Sequence, residues 1–183
     1  MSRSFDARRL DVAALAEAGA SLSGTDELQN YERLALEAQG ADKDLTVEWK
    51  VQGGRRQAVD GQWRPSLHLQ AQTRLPLTCQ RCLGPVATPL VVDRHLVFVE
   101  SEARAAALDD ASDDDVLALT PALDLRDLIE DELLLALPLV PRHEVCPDAV
   151  RLSAHSEGFD AAPPQRPHPF AALAALKQGG KGR

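Results

Sequence analysis

The sequence predicts an α+β domain built on an antiparallel β-sheet of about four to six strands. In residues 45–51 and 67–77, apolar side chains alternate with polar ones, which is typical of strands with one buried face. The links between the expected strands are too short for a helical crossover, which favours antiparallel neighbours. Apolar residues at helical spacing over about residues 124–137 predict one buried helix in the C-terminal half.

Short helices are expected before the sheet. The alanine-rich segment Asp11–Ala18 carries apolar residues on one side, and Gly19 should end it. A second short helix is expected over about residues 28–36, after a turn at residues 23–26.

A break inside the first strand and a loop after the last expected strand complete the predicted sheet region. Gly53 and Gly54 should interrupt the first strand, and a β-rich stretch should follow at residues 86–99. Residues 100–115 are acidic and alanine-rich, and we expect a mobile, solvated loop there.

The helix over about residues 124–137 has clear boundary signals. Asp124 can cap its first turn and Pro138 should end it. Its last turn is apolar all round, so we expect that end to be buried, against the sheet or against a partner. The adjacent Glu130, Asp131 and Glu132 point in different directions on a helix, so we expect a solvated or partner-facing surface rather than an acid/base pair.

Charge divides the chain into a predicted domain and a predicted tail. Residues 1–147 hold 15 of the 20 Lys and Arg and 25 of the 28 Asp and Glu, whereas residues 148–183 are slightly basic. A body this acidic repels phosphate backbones, so broad nucleic-acid binding is disfavoured and a protein or cation partner is favoured. The acidity also serves solubility.

The tail is predicted to be flexible, with a short docking helix. Residues 161–169 are proline-rich and read as a stiff linker. Beyond it, Phe170, Leu173 and Leu176 recur at three-residue spacing and are candidate partner-binding residues. A helix of roughly two turns is unstable alone in water, so it should fold on docking.

The chain is expected to be cytoplasmic. It has no run of eighteen apolar residues that would span a membrane, and residues 1–6 lack the apolar stretch of a secretory signal.

Cysteine and histidine spacing suggests a metal centre. Cys79 and Cys82 are separated by two residues in an expected turn, and His143 and Cys146 repeat that spacing. Together they would give three thiolates and one imidazole, a closed tetrahedral set for a structural Zn²⁺ ion. The sixty-residue gap between the pairs leaves two other interpretations open: inert reduced thiols, or a redox-active Cys79–Cys82 pair.

The sequence shows no catalytic motif. It lacks a Ser-His-Asp set, a phosphate-binding glycine loop, a HExxH motif and a dinucleotide fingerprint. His68 and His95 lie on expected strands among polar neighbours and are interpreted as surface residues. We therefore expect no catalytic residues and no bound organic cofactor.

Three segments resemble the YceD family, the large ribosomal RNA subunit accumulation proteins. They are Leu77-Thr78-Cys79-Gln80-Arg81-Cys82, the helix at 124–138 followed by Pro141 and His143, and the closing segment 169–177. The resemblance implies a role in the synthesis, processing or stability of large-subunit (23S) ribosomal RNA, without implying a reaction or RNA contacts.

The sequence thus favours a non-enzymatic ribosome-biogenesis factor whose partners are ribosomal or rRNA-processing proteins, with at most indirect or weak rRNA association. We expect neither a membrane nor a small-molecule substrate. One alternative is a zinc- or thiol-dependent enzyme acting on RNA or on a ribosomal protein, and another is a general protein-interaction adaptor.

Overall fold

The computed structural model describes residues 4–40, 44–147 and 154, which contain five strands and four α-helices. The strands are β1 (Ser21–Glu27), β2 (Thr46–Gln57), β3 (Trp63–Thr78), β4 (Pro85–Val99) and β5 (Asp115–Ala118). The helices are α1 (Val12–Ala18), α2 (Glu32–Glu37), α3 (Glu102–Asp109) and α4 (Leu125–Leu135). None of the helices in these residues is long and apolar enough to cross a membrane.

The strands form one sheet in the order β1-β2-β3-β4-β5. The pairs β1–β2, β2–β3 and β3–β4 are antiparallel, and β5 is parallel to β4. The predicted α+β class and the predicted sheet are confirmed. The tail with Phe170, Leu173 and Leu176 lies outside the described residues, so the division at residue 147 and the docking helix stay predictions.

The β3–β4 hairpin is the longest paired unit of the sheet. Its register runs from Ser66 opposite Val97 to Thr78 opposite Pro85, so residues 79–84 form the turn. One face of the sheet buries the alternating apolar residues of the strands, including Leu67, and these form the main core with α1 and α4.

Helix α1 begins at Val12, one residue after the predicted start, and Gly19 ends it as predicted. The Asp11 carboxylate accepts from the Ala14 amide at 2.9 Å, and Gly19 ends the helix in the left-handed region at φ 57°. The predicted break at Gly53 is wrong, because β2 continues through it. A Cβ atom on Gly53 would lie 2.5 Å from the Leu15 carbonyl oxygen, so glycine here lets α1 lie directly against the strand.

The predicted turn at residues 23–26 is also wrong, because this segment belongs to the edge strand β1. A Cβ atom on Gly24 would lie 2.7 Å from the Trp49 ring, so only glycine allows that indole to pack across β1. The Trp49 indole N–H donates to Asp26 at 2.8 Å, which ties β2 to the edge strand. The second helix begins as a 3₁₀ turn at Leu28–Asn30 and continues as α2.

The expected mobile loop at residues 100–115 is instead a helical crossover. Helix α3 leads from β4 into β5, which explains why this one pair of strands is parallel. Val99 and Val116 from the strands pack with Ala105 and Leu108 from α3 in a second, smaller core.

An ion-pair network fixes α3 to the β2–β3 turn. Asp60 accepts from Arg64 at 2.7 Å and from Arg104 at 2.6 Å, and these contacts, with the Gln62 amide, lower the pKa of Asp60 to about 2.

Helix α4 packs one face on the sheet. Leu125, Ile129 and Leu133 are buried at four-residue spacing, and the Asp124 carboxylate caps the first turn by accepting from the Arg126 amide at 3.0 Å. In the last turn Leu133 is buried in the core, whereas Leu135 is 76% exposed, so its burial against a partner stays a prediction.

The expected solvated surface at residues 130–132 is wrong for two of the three residues, since Glu130 and Glu132 are buried. Glu130 accepts from the backbone amides of Arg33 and Leu34 at 2.7 and 3.1 Å and from Arg33 Nε at 2.9 Å. Its carboxylate therefore satisfies free amides in the first turn of α2.

Glu132 is the second buried carboxyl of α4. Burial, with Asp115 nearby, raises its pKa, although the Arg94 guanidinium lies 3.7 Å away. Asp131 is the exposed member of the three and pairs with Arg33 at 2.6 Å.

We predict that Glu130→Gln lowers the free energy of unfolding by about 1–3 kcal/mol, because an amide has one acceptor oxygen and turns its own N–H groups towards amide donors. Urea unfolding followed by circular dichroism measures the change. Asp127→Asn on the exposed side of α4 is the matched control and should cost less than about 1 kcal/mol. Equal losses in the two variants would contradict a buried anchoring role for Glu130.

Candidate metal centre

Cys79 and Cys82 lie in the turn between β3 and β4, the hairpin context expected from the sequence. The Cys79 amide donates to the Gly84 carbonyl at 2.9 Å, and the Leu83 amide donates to the Cys79 carbonyl at 2.8 Å. Leu83 has a φ of 62°, in the left-handed region. This tight loop brings the two sulfur atoms to the same side of the turn.

Backbone amides surround the sulfur atom of Cys79. Burial of the thiol opposes its ionisation, but hydrogen bonds from the amides of Cys82 and His143 outweigh burial and lower the pKa of Cys79 to about 5. At Cys82 the Gly84 amide favours the thiolate, yet burial and the neighbouring sulfur atoms prevail and raise the pKa. One thiolate is thus stabilised, and adding a second without a cation is unfavourable.

The second pair of ligands comes from the segment after α4. The Gln80 amide donates to the Pro141 carbonyl at 2.9 Å and so brings this segment to the hairpin turn. His143 Nε2 lies 3.1 Å from the Pro85 carbonyl oxygen, which can only accept, so the proton is on Nε2. In the neutral ring this leaves the lone pair on Nδ1, which lies 3.4 Å from Cys82 Sγ. This is the usual arrangement of a metal-binding histidine, whose other nitrogen donates to a carbonyl or carboxylate.

The four possible ligand atoms of Cys79, Cys82, His143 and Cys146 lie within 4.8 Å of one another. Cys79 Sγ and Cys146 Sγ are 4.0 Å apart, and all three cysteines are free thiols. In a tetrahedral zinc site with Zn–S bonds of about 2.3 Å, two sulfur atoms lie about 3.8 Å apart. The cluster therefore has nearly the spacing that a zinc ion requires.

The cluster offers four protein ligands around one point. Within the described residues, it is also the one group of three or more His, Cys, Asp and Glu side chains close enough to share a metal ion. A tetrahedral ion held by all four would keep no position for water or substrate, which suits a structural site. The structure thus brings together both pairs despite the sixty residues between them.

The sequence interpretation missed one participant, Arg81. Its Nε donates to Cys146 Sγ at 3.0 Å, and its Nη2 donates to the carbonyl oxygens of His143 and Glu144 at 2.9 and 3.1 Å. A basic residue between two cysteines is the signal that could have identified it, but neither its direction nor its partners follow from spacing.

The two histidines interpreted as surface residues lie apart from this cluster. His68 and His95 stack with their ring centroids 4.2 Å apart, and His68 Nε2 pairs with Asp93 at 2.7 Å. Burial, with Arg56 and His68 nearby, lowers the pKa of His95.

Comparison with known proteins places this chain in a family. The family described as large ribosomal RNA subunit accumulation protein YceD matches residues 67–177, a range that includes the whole Cys and His cluster. A relative from Haemophilus influenzae, named large ribosomal RNA subunit accumulation protein YceD, is 33% identical over 123 residues, which cover 66% of this chain and 70% of the relative. No solved structure matches. The chain belongs to the YceD family, as the resemblance in its cysteine turn, helix and closing segment implied.

Proposed function

We propose that this protein is a non-enzymatic accessory factor in ribosome biogenesis that acts in the cytoplasm. It supports the synthesis, processing or stability of large-subunit (23S) ribosomal RNA. Family membership is the observation that carries this proposal, since the family and its Haemophilus influenzae relative are both named large ribosomal RNA subunit accumulation protein.

The cluster of Cys79, Cys82, His143 and Cys146 is proposed to bind a structural Zn²⁺ ion. Two observations support zinc: the spacing of the ligand atoms and the orientation of His143 by the Pro85 carbonyl. Such an ion would join the hairpin turn to the segment after α4 and so stabilise the fold.

The proposed partners are basic ribosomal proteins or rRNA-processing proteins. Residues 1–147 carry 25 acidic and 15 basic side chains, so their surface attracts cationic partners and repels phosphate. Any association with rRNA is then weak or passes through a protein. Phe170, Leu173 and Leu176 of the tail are proposed as a second contact with the partner.

A zinc- or thiol-dependent enzyme acting on RNA or on a ribosomal protein is the second candidate. The low pKa of Cys79 favours it, because a thiolate is the reactive form of cysteine. Its burial and the four-ligand arrangement favour the structural role instead. A general adaptor is the third candidate and would change rRNA levels without selectivity for the large subunit.

We predict that depletion of the protein selectively lowers 23S rRNA and free and assembled large subunits. The measurements are quantitation of 23S against 16S rRNA and a sucrose-gradient sedimentation profile, with expression of the wild-type chain as the restoring control. A parallel fall of 16S rRNA would favour the general adaptor, and an unchanged profile would refute the proposed function.

We predict that Cys79→Ser and Cys82→Ser lose the bound zinc and lower the melting temperature by roughly 5 °C or more, because the folding free energy contributed by the ion disappears. Metal analysis and thermal unfolding with and without a chelator measure both effects. The chelator should lower the melting temperature of the wild type and leave that of the variants unchanged.

The matched control for the zinc experiment is Glu144→Gln, an exposed side chain between the ligands His143 and Cys146. It should keep the metal and the wild-type melting temperature. The structural site would be refuted if the wild-type protein contained no zinc, or if the chelator left its melting temperature unchanged. Three protein ligands plus water, seen by X-ray absorption, would favour the enzyme.

We predict that the triple change Phe170→Ala, Leu173→Ala and Leu176→Ala weakens partner capture and reduces complementation of 23S rRNA, while the melting temperature stays the same. The reason is that these side chains supply the apolar face of the proposed docking helix. Affinity capture from cells and the rRNA ratio measure the outcome. Unchanged capture and a normal rRNA ratio would exclude the tail as a partner contact.

A further inference from the structure

We propose that Arg81 is a positioning residue of the metal centre. Its side chain holds the segment 143–146 against the hairpin turn. It also donates a hydrogen bond to the sulfur atom of Cys146, one of the proposed zinc ligands. This inference rests on the zinc site proposed above.

The contacts of Arg81 reach across the two halves of the cluster. Nε donates to Cys146 Sγ at 3.0 Å, while Nη2 donates to the carbonyl oxygens of His143 and Glu144 at 2.9 and 3.1 Å. Arg81 therefore fixes one ligand atom and the backbone that carries the other ligand of the second pair. The planar guanidinium suits this task, because its donors have a fixed geometry.

The second pair of ligands depends on such contacts. Helix α4 ends at Leu135, and the described residues between 136 and 147 contain no further helix or strand. Besides Arg81, the hydrogen bonds from the Gln80 amide to Pro141 and from His143 to Pro85 connect this segment to the hairpin. The ligand atoms themselves also meet across the two halves, Cys82 Sγ with His143 Nδ1 at 3.4 Å and Cys79 Sγ with Cys146 Sγ at 4.0 Å. Among these connections, the one from Arg81 is made to a ligand sulfur atom by a side chain outside the four possible ligands.

Charge gives Arg81 a second effect. Three thiolates and one imidazole around Zn²⁺ carry a net charge of −1, and a guanidinium at 3.0 Å from one sulfur atom offsets it. The side chain is exposed, so screening weakens this effect, and the directed hydrogen bonds should matter more than charge alone.

The test compares the full-length wild type with Arg81→Gln, Arg81→Lys and Arg142→Gln. Arg142 is the matched control, because it precedes His143, is exposed and carries the same charge. Zinc affinity is measured by competition with a chromophoric chelator. Cobalt(II) substitution then reports on the ligands, through the sulfur-to-metal charge-transfer band in the near ultraviolet and the tetrahedral ligand-field bands in the visible.

We expect Arg81→Gln to weaken zinc binding by about 10- to 100-fold, the usual effect of removing a partner of a metal ligand. The charge-transfer band should move to longer wavelength, because a thiolate without its N–H donor holds its electrons less tightly. Arg81→Lys should bind zinc with intermediate affinity, since it keeps the positive charge and loses the planar set of guanidinium donors. Arg142→Gln should match the wild type within about 2-fold.

The outcomes separate this inference from the zinc proposal. Zinc-bound wild type with equal affinities for Arg81→Gln and Arg142→Gln would overturn the role of Arg81 and leave the metal site standing. If Arg81→Lys binds zinc with wild-type affinity, the directed hydrogen bonds of the guanidinium are not required, and the positive charge alone explains the effect of Arg81. If the wild type binds no zinc, both proposals fail. If Arg81→Gln does not fold, the Arg81→Lys affinity and cobalt spectrum decide by the same criteria.

Discussion

The long antiparallel pairing of β3 with β4 determines where the other parts of the fold lie. Because every residue from Ser66 to Thr78 has a partner on β4, the hairpin positions a cysteine turn at one end and the entry to α3 at the other. Side chains alternate between the faces of both strands, so the same register decides which residues α1 and α4 can cover. A slip of one residue would expose the core and move Cys79 away from Cys146.

The carboxylates of α4 connect parts of the chain that are distant in sequence. The Glu130 carboxylate accepts from two backbone amides in the first turn of α2, which have no partner within the helix. Those amides belong to Arg33 and Leu34, 97 and 96 residues away in sequence. A buried charge of this kind is tolerated because several donors surround it. Some acidic side chains of α4, such as Glu130, therefore serve the packing of the fold, and others, such as Asp131, lie on the surface. A count of charges does not distinguish the two groups.

Local patterns predicted the parts of the fold that depend on local interactions. Alternation predicted β3, Gly19 predicted the end of α1, and the capping residue Asp124 predicted the start of α4, because these signals arise from neighbouring residues. Edge strand β1 was missed since its small, polar residues have low strand propensity and pair only because β2 is present. The crossover before β5, the burial of Glu130 and the contacts of Arg81 depend on residues far along the chain, which spacing does not reveal.

The separation of the two ligand pairs has a consequence for the unfolded chain. An ion held by all four residues closes a loop of about sixty residues between Cys82 and His143. By analogy with a covalent crosslink, closing such a loop removes chain entropy from the unfolded ensemble on the order of 4 kcal/mol.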